Sequence, residues 1–135
     1  MTVTIGTLRS GIAANLATIS GLRTSATVPD APTPPQAVVI PSIIQYDRAF
    51  HRGLDQYQFI ITVLVGRASD RNAQSTLDAY CNPTGALSIK TAVESDRTLG
   101  GIAQSLHVTE MTSYASTSIG DTIYLSADFS VTVYA

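Results

Sequence analysis

A chain of 135 residues with 44% apolar content is long enough to bury one real core and too apolar to be disordered. Eight basic residues against ten acidic ones leave a net charge of −2, with no run of Lys or Arg. That excludes the sequence-level basic patch on which phosphate-driven nucleic-acid binding rests.

Charged residues make up only 13%, about half the usual share, and Thr, Ser and Ala stand in for them. So little surface charge fits a protein partly covered by partner subunits. The single cysteine, Cys81, excludes an internal disulfide and reads as a small apolar group on a helix. No basic segment followed by an apolar stretch opens the chain, so no signal peptide is expected. The longest strongly apolar run, Phe59 to Val65, is far shorter than the ~20 residues a bilayer span needs. These features predict a protein made in a cytoplasm, or assembled into a particle there.

In chain order, Thr4 to Ile19 reads as an amphipathic helix. Ile5, Leu8, Ile12, Leu16 and Ile19 recur at steps of three and four, and Ser20-Gly21 supplies the stop. Gly11 inside it costs about 1 kcal/mol against Ala and marks a candidate close approach. Leu22 to Val28 reads as a short strand. Pro29, Pro32, Pro34 and Pro35 then make an extended connector, because proline lacks a donor and fixes φ.

Ala37 to Tyr46 reads as a strand, with Pro41 marking a bulge or an edge. Tyr57 to Val65 is a clearer one: Tyr57, Phe59, Ile61, Val63 and Val65 share a face, while Ile60 and Leu64 make the opposite face partly covered too. Between them Asp47 to Asp55 forms the projecting tip of a hairpin. Ser69 reads as an N-cap for a helix running to about Cys81, with Ala73, Leu77, Tyr80 and Cys81 as its stripe. A second short helix is expected over Leu87 to Arg97, with Leu87 and Val93 inward and Gly100-Gly101 as breaker.

Two strands close the chain. Leu106 to Tyr114 alternates weakly. Ile123 to Tyr134 alternates strongly, with Ile123, Leu125, Ala127, Phe129, Val131 and Val133 on one side, and Ser118-Ile119-Gly120-Asp121 supplies the turn. The order α-β-β-β-α-α-β-β predicts a single α+β domain over 1–135: one antiparallel sheet of four to five strands with helices packed on one face.

No motif carries chemistry. There is no phosphate-cradling Gly loop with a Lys and no Gly-x-Ser-x-Gly elbow. His51 and His107, with one Cys, make no recognisable zinc set. His107 reads as a satisfied or half-exposed strand histidine. Glu94 and Asp96, two apart on a helix, read as a solvated face. Asp47 and Asp55 flank the tip, but no nucleophile or cofactor motif accompanies them. No catalytic, cofactor or metal residue is assigned, and no enzyme activity is expected. The informative feature is the tip, where Arg48, Phe50, His51 and Arg52 are the candidate interface residues, since Arg and aromatics are enriched in interface cores. The alternative is a solvated loop with Phe50 folded back.

The segments Leu8-Arg9-Ser10-Gly11-Ile12-Ala13-Ala14-Asn15-Leu16, Val28-Pro29-Asp30, Tyr46-Asp47-Arg48-Ala49 with Arg52-Gly53-Leu54-Asp55, Val65-Gly66-Arg67-Ala68-Ser69-Asp70-Arg71 and Asp96-Arg97-Thr98-Leu99-Gly100-Gly101 carry a likeness. The chain resembles, over nearly its full length, the tail terminator and minor tail proteins of long-tailed siphophages, especially those of actinobacteria. The resemblance implies one antiparallel sheet flanked by helices. It also implies a homo-oligomeric, hexameric ring at the head-proximal end of the virion tail. Such a ring caps the tail tube, docks the head connector or stopper protein and lets DNA pass without specific binding. It supplies no individual functional residue. A neck stopper or tail tube subunit is the nearest alternative; the nine-residue tip and short termini favour the terminator over a tube subunit, whose hairpin and terminal arms are usually longer. A small ligand-binding or enzymatic α+β domain is the alternative of another class.

Overall fold

The computed structural model describes residues 4–19, 22–25, 36–46, 55–67, 71–85, 87–96, 98–99, 101, 103–119 and 122–135. The expected Ser69 cap, the proline connector and the tip from 47 to 54 lie outside these residues. The element order is α1 (Ile5–Leu16), β1 (Arg23–Ser25), β2 (Gln36–Gln45), β3 (Gln56–Arg67), α2 (Arg71–Cys81), α3 (Ile89–Val93), β4 (Ser105–Ile119) and β5 (Thr122–Tyr134).

Helix α1 starts where the Thr4 hydroxyl accepts the Thr7 N–H at 3.1 Å, which satisfies one of the orphan donors of the first turn. Its predicted stripe is the face it buries: Leu8, Ile12 and Leu16 are fully buried, and Ile19 follows them just past the helix. Helix α2 turns Leu77 and Tyr80 inward. Helix α3 is shorter than expected. The Ser88 hydroxyl caps it by accepting the Thr91 N–H, and it buries Ile89, Ala92 and Val93, whereas Leu87 is only half-buried. The Asn15 side-chain amide of α1 donates to the carbonyls of Val93 and Asp96, binding the exit of α3 to α1.

The five strands form one sheet in the order β1-β2-β3-β5-β4. All neighbours pair antiparallel except β1, which runs parallel to β2 through Arg23↔Gln36 and Ser25↔Val38. The sheet is therefore mixed, which corrects the purely antiparallel expectation.

The three helices share one face of this sheet: α1 lies on β2, α2 on β3 and β5, α3 against α1 and β4. The core is the layer between. Tyr57, Phe59, Ile61 and Val63 of β3 meet Ala127, Phe129, Val131 and Val133 of β5 there, side by side as the period-two alternation predicts. The expected bulge at Pro41 is present, since the β2–β3 register shifts between Pro41 and Ile43. The shift puts Ile44 on the core face beside Tyr57 and Ile43 on the bare face beside Gln58.

Gly11 does mark a close approach. A Cβ there would stand 3.3 Å from Leu99 Cβ and 3.4 Å from Leu99 Cδ1. We expect Gly11→Val to destabilise the domain by about 1–3 kcal/mol through overpacking. Gly11→Ala is expected to stay near neutral, because the helix-propensity gain of about 1 kcal/mol offsets the tighter contact. Thermal unfolding of the two variants measures both; a Val variant as stable as the wild type would show that Leu99 yields freely.

Candidate functional site

Sequence reasoning placed the site at the β2–β3 tip, whose candidates Arg48, Phe50, His51 and Arg52 lie outside the described residues. The described surface concentrates its unusual features elsewhere, on the β4–β5 hairpin. Strand β4 has 15 residues rather than ending near Tyr114, and β5 pairs with it up to Ile119↔Thr122, so the expected turn begins two residues later than predicted.

Only the first part of this hairpin is covered by helices. Leu106 and Val108 are buried, but Thr109 through Ser116 are all exposed on both faces. Ile123, expected to point inward, is 53% exposed. Its alternation is intact; the helix layer ends before reaching it. The outer half of the hairpin is thus an arm without helix cover, although β5 within it stays paired with β3 out to Tyr124↔Arg67, so only the Ser118↔Ile123 and Ile119↔Thr122 pairs extend beyond the sheet. Met111, Tyr114 and Ile123, three of the large exposed apolar side chains, sit on it.

β4 is also an edge strand. Near its start the edge is closed: the Glu94 carboxylate accepts the Val108 N–H at 3.0 Å and the Lys90 ammonium at 2.6 Å. Glu94 is therefore a half-buried cap on the sheet edge, not the solvated residue that its spacing from Asp96 implied. Asp96 instead accepts the Thr98 N–H and hydroxyl at the end of the α3 turn. Farther out, from Met111 to Ser116, the described residues offer the edge no backbone partner beyond β5. The segment Met111 to Ile119 contains no charge, proline or glycine. Those are the devices with which sheet edges are normally blunted, although two bulges, at Thr109 and at Ser113-Tyr114, do twist the strand.

Among the described residues the opposite edge is also open in part: β1 pairs with Gln36, Ala37 and Val38, no described strand lies on the outer side of Val39 to Gln45, and Ile40 and Ile43 are exposed there. This stretch too is uncharged.

Two shallow hollows flank the β4 edge. On the helix side, Cys81, Pro83, Lys90, Met111 and Phe129 line a groove of about 230 Å³. Burial, and secondarily the Asp78 carboxylate, push the Cys81 thiol up, so it stays protonated and unreactive at neutral pH. On the bare face, Ser42, Gln58, Ile60, Glu110, Ser130 and Thr132 line a hollow of about 200 Å³.

The bare face as a whole is rich in hydroxyls and amides, with Thr62 donating to Asp128 at 2.9 Å. At the β1–β2 end its apolar residues are covered, Leu64 being 2% exposed, which agrees with the partial cover expected for that side of β3. His107 is exposed on this face, with only a long 3.4 Å contact to the Ser105 hydroxyl. Among the described residues no three His, Cys, Asp or Glu side chains converge as a metal site, and no helix is long and apolar enough to cross a membrane.

Among the described residues the site is thus an α+β domain with open stretches along both sheet edges and a hairpin whose last two pairs run past the sheet. No protein-family model matches the chain, and no curated protein is significantly similar to it.

Proposed function

We propose that this chain is a structural subunit that joins copies of itself edge to edge into a closed ring, of the kind that terminates a phage tail tube. The observation that carries the reading is the outer half of β4, uncharged from Met111 to Ile119, exposed from Thr109 to Ser116 and, among the described residues, open along its edge. An exposed strand edge of that length is an aggregation hazard in a monomer and a ready interface in an assembly.

The open edges are complementary. Because β2, β3, β5 and β4 alternate in direction, a neighbour's β2 laid beside β4 is antiparallel to it. Such a head-to-tail contact uses different patches on the two copies and closes into a ring when the rotation brings it back on itself. The edges are also staggered. Gln45 lies level with Ser105 across the sheet, and Gln36 with Ala115, so the open part of β2 faces the closed part of β4. Joining open to open slides each copy along the strands, which is the shear that tilts strands in a closed barrel.

In such a ring the helix layer takes the larger, outer circumference and the bare sheet face lines the bore. That face carries Glu110 and Asp128 against Arg23 and the Arg67 position, with hydroxyls and amides between. It offers a passing DNA duplex no positive excess, matching the chain's net charge of −2. The tube, the head connector and the virion location follow from the family likeness and are part of the same proposal.

Native mass measurement with negative-stain imaging, alone and with tail tubes, tests the ring. A strict monomer under both conditions would overturn it. Titration of the assembled protein with duplex DNA tests the bore. Binding weaker than micromolar near physiological salt is expected; tighter binding with a steep salt slope would mean that the bore grips its DNA.

A further inference from the structure

Among the described residues, one buried side-chain nitrogen has no hydrogen-bond partner, the Nε of Arg9 on α1. Its guanidinium makes no ion pair there either. Buried polar groups in folded proteins are almost always hydrogen-bonded, and an unpaired donor on a charged group carries a desolvation cost.

The helix sets the direction in which Arg9 lies. Gly11 and Asn15 mark the flank of α1 that meets Leu99 and the exit of α3. Two positions, at about 100° each, put Arg9 on the opposite flank from Gly11. α1 lies on β2 and α3 on its inner side toward β4, so that opposite flank stands over the outer edge of the sheet. α1 ends a few residues before β1, whose first residue pairs with Gln36, so its last turn is near that end of β2. Seven residues of helix, about 10 Å, carry Arg9 back from Leu16, a distance that about three strand residues span. That reaches the stretch of β2 where its pairing with β1 has ended.

The other edge presents a carboxylate in the same layer. Asp78 of α2 is exposed, and its Oδ1 accepts the Tyr114 hydroxyl of β4 at 2.7 Å, across 36 positions of sequence. No cation pairs with it among the described residues. Glu94, beside the same edge, is already paired with Lys90, and Glu110 lines the hollow on the bare face.

We propose that Arg9 of one copy and Asp78 of the next form an ion pair across the seam between subunits, in the helix layer above the joined β2 and β4 strands. This rests on the edge-to-edge ring proposed above and names the contact that completes it. Joining 39–45 to 111–117 antiparallel sets Ser42, the middle of one open stretch, against Tyr114, the residue bonded to Asp78. In the free subunit the buried cation destabilises the fold; in the assembly a charge-assisted bond offsets that cost.

The signature is a pair of opposite effects, read by thermal unfolding and by solution mass against concentration. Arg9→Met keeps the apolar stem and removes the charge. Below the association concentration it is expected to melt about 3 °C above the wild type, and to need about 30-fold more protein to assemble. Arg9→Asp and Asp78→Arg should each impair assembly at least as much, and the double variant should recover about tenfold of the loss. Tyr114→Phe removes the bond within the subunit and leaves the carboxylate, so it should assemble within about threefold of the wild type. Arg9→Asp assembling at wild-type concentration overturns the pair and leaves the ring standing. A double variant without recovery, or a Tyr114→Phe variant as impaired as Asp78→Arg, overturns it too, because Asp78 then acts within its own subunit. So does an Arg9→Met subunit that melts below the wild type, since Arg9 would then be stabilising the free fold. A wild-type chain that stays monomeric even with tail tubes overturns the ring, and the pair with it.

Discussion

Replacing Phe59 with alanine is expected to lower the unfolding free energy by about 3–5 kcal/mol, the range for an aromatic removed from a packed core. Phe59 is 1% exposed and among the largest fully buried side chains. It sits in the middle strand of the sheet, with Val131 opposite it on β5, Pro41 on β2, and the Tyr57 ring stacked at 6.5 Å on the same face. The helices above are held to the sheet by this layer, so neighbours cannot collapse into the void without breaking strand register. A domain of this size has ~5–15 kcal/mol to lose, so the variant should be at the edge of folding at 37 °C. Urea unfolding followed by circular dichroism measures it. A loss below 1 kcal/mol would mean that the Phe59 site is not the packed centre described above.

Lysines at positions 116 and 118 of the arm are expected to abolish assembly and leave the subunit folded. Both serines are exposed, and their strand carries no charge between Met111 and Ile119. Lysine on an edge strand blocks the approach of another strand because its ammonium must be desolvated to admit one. For the double variant Ser116→Lys/Ser118→Lys we expect association weakened by roughly 100-fold or more, the conversion of a few kcal/mol. Solution mass and thermal unfolding separate the two effects. Assemblies formed at wild-type concentration by this variant would remove the β4 edge from the interface and return attention to the β2–β3 tip.

The comparison of these two sites explains what was legible in the sequence. Phe59 was visible at once, because the period-two run from Tyr57 to Val65 names every residue that shares its face, and burial of that face follows from the hydrophobic effect. The arm was not visible. Ile123 continues the alternation of β5 without a break, yet stands in solvent, since periodicity reports which residues face the same way and not where the covering helices stop. The weak alternation of β4 looked like a short strand; it is a long one whose two bulges shift the phase of its pattern.

Sequence by itself determined the element order, the stripe of α1, the inward Leu77 and Tyr80 of α2 and the two faces of β3 and β5, and it marked Pro41 as a bulge or an edge and Gly11 as a candidate contact. Each of these depends on neighbours a few positions away, or on a single residue's backbone preference. Tertiary structure alone decided the rest. The parallel pairing of β1, the use of Glu94 as an edge cap for Val108, and the bond from Tyr114 to Asp78 each join residues whose partners no local pattern specifies. So too with the edges: a strand is left open or closed by what lies beside it, and that depends on the sheet order, which chain periodicity does not encode.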